Sequence, residues 1–279
     1  MNETPSWAPP GIDTTKASIS RMYDYLLGGD HNFEVDREFA RGLLEKVPEA
    51  PEVALLNKKF LRRGVEHCLR EGIRQFLDLG SGIPTAGVVG NVHEIAWEHD
   101  PSCRVVYVDR EPVAFAYGRA ILEGEERAAM VSADLTDPDE VLALPEVRRL
   151  IDFDRPVCLL MLGVLHYVHD DDDPARLVAR YRDVLAPGSH LLVTHGTEGD
   201  NPVVLRSAIA MSKDTDTPAY MRTAEEVTEF FAGFELLDPG VVCTPDWRPN
   251  STGPDSTRPV SETARRLAVA GVGRKPGVR

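Results

Sequence analysis

Apolar residues at Ile19, Met22, Tyr23, Leu26 and Leu27 recur at the spacing of one helix face, with Asp13 and Thr14 as caps and Gly28-Gly29 as a stop. This pattern predicts a helix of about three turns. A second helical pattern carries Val35, Phe39, Leu43 and Val47 and ends near Pro48; a third runs over residues 53–70 with Leu56, Phe60 and Val65 on one face. Residues 12–72 therefore read as a helical preface. From Gln75 the period changes. Short apolar runs at 76–79, 105–108, 129–133, 157–162 and 191–194 alternate with helix-like stretches.

Five strands alternating with helices imply right-handed crossovers and a doubly wound, mostly parallel α/β sheet, whose ligand crevice lies at the carboxyl ends of the strands. Helices are then expected over 203–211 and 224–231. Apolar runs at 234–242 and 267–272 follow, separated by a Pro/Ser/Thr-rich stretch at 244–263, and are expected to pair as an antiparallel hairpin at the sheet edge. The expected division is a helical cap over 1–72 and a sheet domain over 73–279.

The 279 residues carry 31 Lys plus Arg against 45 Asp plus Glu, a formal charge of -14 that opposes binding of a polyanion and so argues against nucleic acid. The longest apolar run, 157–165, is about half of what a membrane-spanning helix requires, so no membrane span is expected. The first ten residues lack a basic then apolar secretory pattern, and the expectation is a cytoplasmic protein. Cys68, Cys103, Cys158 and Cys243 form no CxxC pair and read as reduced structural thiols.

The first strand runs into Asp78, Leu79, Gly80, Ser81 and Gly82, where two glycines permit a tight turn that brings backbone up to a ligand. A dinucleotide fingerprint wants a third glycine at position 85; Thr85 stands there behind Pro84, which weakens the nicotinamide or flavin reading. No Lys or Arg occurs from Gln75 to Cys103, which excludes a Walker-type loop. The second strand ends in Asp109, placed to accept both hydroxyls of an unphosphorylated ribose. The third ends in Asp134-Leu135, an acid for an adenine amino group and an apolar side chain for its ring face. Each acid alone could be a helix cap. Three at successive strand ends suit an adenosine ligand that carries a sulfonium and an ammonium in place of phosphate, as S-adenosylmethionine does.

FLDLGSGIPT, VVYVDREP, VSADLTDP, LLMLGVLHYV and LAPGSHLLV resemble the successive motifs of class I S-adenosylmethionine-dependent methyltransferases. IDTTKASISRMYDYLLGGDHNFEVDRE joined to RQFLDLGSGIPT resembles, over nearly the whole chain, an actinobacterial S-adenosyl methyltransferase family long carried as a domain of unknown function. The resemblance implies a Rossmann-like sheet of seven strands, with S-adenosylmethionine as cofactor and S-adenosylhomocysteine as product. It makes Asp78, Gly80, Ser81 and Gly82 the methionine-side loop, Asp109 the ribose acid, and Asp134 with Leu135 the adenine contact, flanked by Arg110. It also places Gly163 and Val164, after the fourth strand, with their backbone against the pocket.

Methyl transfer to a protonated acceptor needs a base, for which His166 is the first candidate; a structural histidine bonded to a neighbouring helix is the alternative. Tyr167 and His195 rank behind it, and His195 reads equally as a packed strand-end residue. His166, His169 and the acids at 170–173 have some metal-ligand character, but the acids are better explained as the cap and first turn of a helix starting at Pro174, so no metal is expected. In the preface, Arg21 or Tyr23 is placed to touch the cofactor's methionine carboxylate or the acceptor, the alternative being that the tyrosines only dock the helix. The expected function is methyl transfer to a small molecule. A noncatalytic S-adenosylmethionine binder is the main alternative, with an NAD(P)-dependent reductase behind it.

Overall fold

In the computed structural model of the chain, the residues described are 5, 7–85, 89–197, 209–213, 215, 217–249 and 260–277. Three helices open the chain: α1 (Ile19–Leu26), α2 (Glu34–Leu44) and α3 (Ala50–Arg70). Parallel strands β1 (Gln75–Leu79), β2 (Arg104–Asp109), β3 (Ala128–Ser132), β4 (Cys158–Leu162) and β5 (His190–Gly196) then alternate with α4 (Val92–His99), α5 (Pro112–Ile121), α6 (Pro138–Ala143), α7 (Pro145–Leu150) and α8 (Pro174–Val184). The chain continues through α9 (Ala224–Glu229), the two-residue strands β6 (Glu235–Leu236) and β7 (Val242–Cys243), α10 (Glu262–Arg266) and β8 (Ala268–Arg274).

The strand order is β3-β2-β1-β4-β5-β8-β6, seven strands on one path, with β7 pairing β8 off it. Strands run outward from β1 in one direction and from β4 in the other, so the order reverses between them and opens a crevice at their carboxyl ends. The central strands are buried on both faces: Phe76, Leu77, Leu79, Leu159 and Leu160 are fully enclosed. Side chains alternate between two cores, Phe76 and Leu160 with one, Leu77 and Leu159 with the other. Asp78 is the one ionisable residue of β1, paired in register with Tyr107 of β2 and Leu160 of β4.

The expected antiparallel pairing of the two late apolar runs forms at the end of the sheet, where β6 and β7 both pair with β8. β8 lies between β5 and β6, antiparallel to both, and is interior. The run 234–242 supplies only the two short strands, because Pro239 has no amide to donate and Gly240 takes a left-handed turn conformation (φ 90°). Of the helix expected over 203–211, residues 203–208 lie outside the described set, as do 250–259 of the Pro/Ser/Thr-rich stretch. The preface joins the sheet through α3, whose Phe60, Leu61, Val65 and Leu69 share the core of Phe76 and Leu160. Gly64 makes this approach possible, since a Cβ there collides with Leu192 of β5.

Among the described residues no helix is long and apolar enough to cross a membrane.

Candidate active site

A cavity of about 790 Å³ opens over the carboxyl ends of β1, β2, β4 and β5, and α1 and α3 wall its far side. Its floor is the loop after β1. Gly80 and Gly82 both adopt left-handed φ (71° and 68°), which an L side chain rarely does. At Gly80 a Cβ collides with Val164, whereas at Gly82 a Cβ meets no atom within 4 Å. Gly80 and Ser81 donate their amides to the Val108 carbonyl at 2.8 and 3.2 Å, locking the loop to β2. The Ser81 hydroxyl reaches the Met130 sulfur at 3.9 Å.

Asp109 is buried at the end of β2, where it accepts from the Gly82 amide at 2.7 Å and the Glu111 amide at 2.9 Å; burial pushes its carboxyl up. Asp134 accepts from the Thr136 amide and hydroxyl at 2.9 and 2.7 Å and from Arg110 at 2.9 Å; these bonds outweigh its partial burial and hold it low. Arg110 also donates to the Thr217 hydroxyl at 3.1 Å. Leu135 lines the cavity beside Gly80, and its carbonyl accepts from Tyr181. Asp78 is different in kind. Its side chain has no hydrogen-bond or ion-pair partner among the described residues, and burial pushes it up to about 7.

After β4, Gly163 (φ 67°) turns the chain and donates to the Thr194 carbonyl at 3.1 Å, bringing Val164, His166 and Tyr167 into the cavity wall. The Nδ1 of His166 accepts a long bond (3.4 Å) from the Gly196 amide, which puts the ring proton on Nε2. Burial holds His166 well below the ordinary histidine range, so it is neutral at pH 7. Tyr167 is raised by burial and is un-ionised as well. His195 stands 5.3 Å away, centroid to centroid, with both nitrogens committed: Nδ1 to the Gly196 carbonyl at 2.6 Å, Nε2 to Arg222 at 3.1 Å. Burial lowers it to about 4.

The preface behaves in two ways. Arg21 is buried, and its guanidinium is spent on Asp36 (2.8 Å), Glu111 (3.2 Å) and the carbonyls of Lys16 and Asp13. It clips α1 to α2 and to the start of α5. Tyr23 donates to the Ala54 carbonyl at 3.1 Å and accepts from Asn57 at 3.0 Å; Asn57 in turn accepts from Thr194 at 2.7 Å. The sequence reading missed Asn57, Lys58, Glu111 and Arg222. On a helix such as α3, an Asn-Lys pair beside apolar positions reads as solvated surface, and only the packing of α3 over the strand ends turns it inward.

The acids at 170–173 do what the helix-cap reading asks. Asp173 accepts from the Arg176 amide to cap α8, and Asp170 pairs with Arg222 at 2.6 Å. Arg222 also donates to the carbonyls of Leu165 and Val168, fixing the turn that carries His166.

A doubly wound sheet with a glycine floor and carboxylates at three successive strand ends defines a Rossmann-like site for a nucleoside without phosphate. Residues 5–276 match the S-adenosyl methyltransferase family, and the chain belongs to that family. Its cofactor is S-adenosylmethionine, and its activity class is methyl transfer from that cofactor. The residues fit the group: the acids suit a cationic ligand, and the opening at Gly82 lets backbone approach it. A proposed methyltransferase from Thermobifida fusca is 42% identical, over 98% of this chain and 100% of that one, with a TM-score of 0.89. A DUF574 family protein from Streptomyces avermitilis is 36% identical over 95% of this chain and 99% of that one, with a TM-score of 0.87. No curated protein matches the chain.

Proposed function

We propose that the protein methylates a small molecule that sits between α1–α3 and the loop after β4. One observation carries this reading: besides the strand-end acids, the same cavity is lined by apolar side chains that the adenosine contacts do not use, among them Leu26, Leu43, Val47, Val53 and Met221. Its volume lies in the upper part of the roughly 300–1,000 Å³ range of small-molecule sites. The sulfonium of bound S-adenosylmethionine supplies the methyl group. The protein supplies position and dryness, which account for most of the rate in an in-line displacement.

His166 and Tyr167 are the polar side chains offered to the acceptor from the β4 side. With Nδ1 turned to Gly196, His166 presents Nε2–H as a donor that orients the acceptor; it takes up an acceptor proton only if the weak 3.4 Å bond is given up and the tautomer changes. His195 holds the Arg222 clamp rather than the acceptor. Asp109 and Asp134 hold the adenosine. The function is tested with methyl-labelled S-adenosylmethionine and a low-molecular-mass bacterial extract. Label is expected in a small molecule and to drop at least about tenfold with His166→Ala, on the scale of one positioned catalytic group. Cofactor binding without label transfer to any fraction would instead support the noncatalytic binder.

A further inference from the structure

Residues 217–222 are bonded both to the acid after β3 and to the turn that carries His166. At one end the Thr217 hydroxyl accepts from Arg110 at 3.1 Å, and Arg110 donates to Asp134 at 2.9 Å. At the other end three successive residues grip the His166 turn. The Tyr220 amide donates to the His166 carbonyl at 2.6 Å. The Met221 sulfur lies so close to Gly196, whose amide bonds the His166 ring, that a Cβ on that glycine collides with it. Arg222 donates to the carbonyls of Leu165 and Val168, at 2.9 Å each. Thr217 and Met221 also line the cavity.

We propose that Thr217 and Tyr220 are positioning residues that tie occupancy of the adenine end of the cavity to the placement of His166. The assignment rests on Asp134 taking the adenine amino group of S-adenosylmethionine. Of the two Asp134 oxygens, Oδ1 already accepts two bonds from Thr136, whereas Oδ2 accepts from Arg110. The amino group therefore joins Arg110 on Oδ2. Arg110 is half-exposed, and an adenine beside it displaces water, strengthens its charge-assisted bond to Asp134 and restrains the guanidinium that holds Thr217. Only Pro218 and Ala219 separate Thr217 from Tyr220. The proline has a fixed φ, and the Ala219 amide is bonded to the Ser212 hydroxyl at 2.8 Å, so the restraint passes along a short, stiff run of chain. A loaded adenine end thus holds His166 in place, and an empty one leaves it looser.

Hydrogen exchange of the full chain, read at the Tyr220 amide with saturating adenosine or S-adenosylhomocysteine, tests the assignment. Adenosine carries the base without the sulfur and the amino-acid chain. Both ligands should slow exchange at Tyr220 by about fivefold or more. Thr217→Val and Arg110→Gln should each abolish the slowing at saturation, and the double variant should do no more than either, since both cut one link. Thr217→Ser, which keeps the hydroxyl, should restore it. Slowing that survives in Thr217→Val, or a wild-type chain that binds the ligands with no change at Tyr220, would overturn the assignment. A wild-type chain that binds neither ligand would instead overturn the cofactor reading beneath it.

Discussion

Two charge clusters border the same cavity in this protein and are built differently. In the first, Arg21 meets Asp36 and Glu111, and every donor it aims inward has an acceptor. In the second, Lys58 and Asp78 line one cavity, and their charges act on each other with no hydrogen bond between them among the described residues. The first is closed by hydrogen bonds within the chain; the second is open to the cavity. Charge alone does not separate them, since each sets a cation against a buried carboxylate. What separates them is whether hydrogen bonds within the chain close them.

The sharpest way to break this contrast is Arg21→Ala, which strands Asp36 and Glu111 as buried anions. Chemical denaturation should show a loss of about 3 to 5 kcal/mol, the scale for removing one member of a buried ion pair. Little loss would mean that the clip is not structural.

Asp78→Asn should act in the opposite direction on stability. A carboxyl raised from 3.8 to about 7 in the folded chain favours the fold fully below its unfolded value, and that support is lost as pH rises through about 7. At pH 8 the free wild type therefore carries a buried charge that asparagine removes. The variant should be more stable there by about 2 to 4 kcal/mol, with a much smaller gain near pH 4. The same substitution weakens S-adenosylhomocysteine, so stability and binding diverge at one atom.

A smaller effect follows from the same titration. The ligand's ammonium favours ionised Asp78, so affinity for S-adenosylhomocysteine should fall as pH drops from 8 to 6, with proton release on binding at pH 7. Asp78→Asn should flatten the slope. A slope that survives would assign the proton to another group.

Much of the site was legible because strands announce their own ends. The change of period at Gln75 and the acids that close the apolar runs at Asp109 and Asp134 place those side chains at the crevice once the sheet is parallel. The preface was less legible. A helix side chain reaches its neighbours only through tertiary packing, so the amphipathic pattern gave α3 its buried face but not the inward turn of Asn57 and Lys58. Arg21 and Tyr23, expected at the cofactor or acceptor, line the cavity, and their hydrogen bonds to protein groups were not legible in the sequence. The placement of β8 inside the sheet was hidden for a related reason: two short strands pair with it from one side, and neither is long enough to show alternation.

The central claim, that the crevice between β1 and β4 holds S-adenosylmethionine through its acids, is tested most directly by titrating the purified chain with S-adenosylhomocysteine, with NADH in parallel, and repeating both with Asp109→Ala. The account predicts micromolar binding of S-adenosylhomocysteine alone, weakened by roughly 1.5 to 3 kcal/mol in the variant with the fold intact. Equal binding of NADH, or a dissociation constant untouched by loss of Asp109, would contradict it.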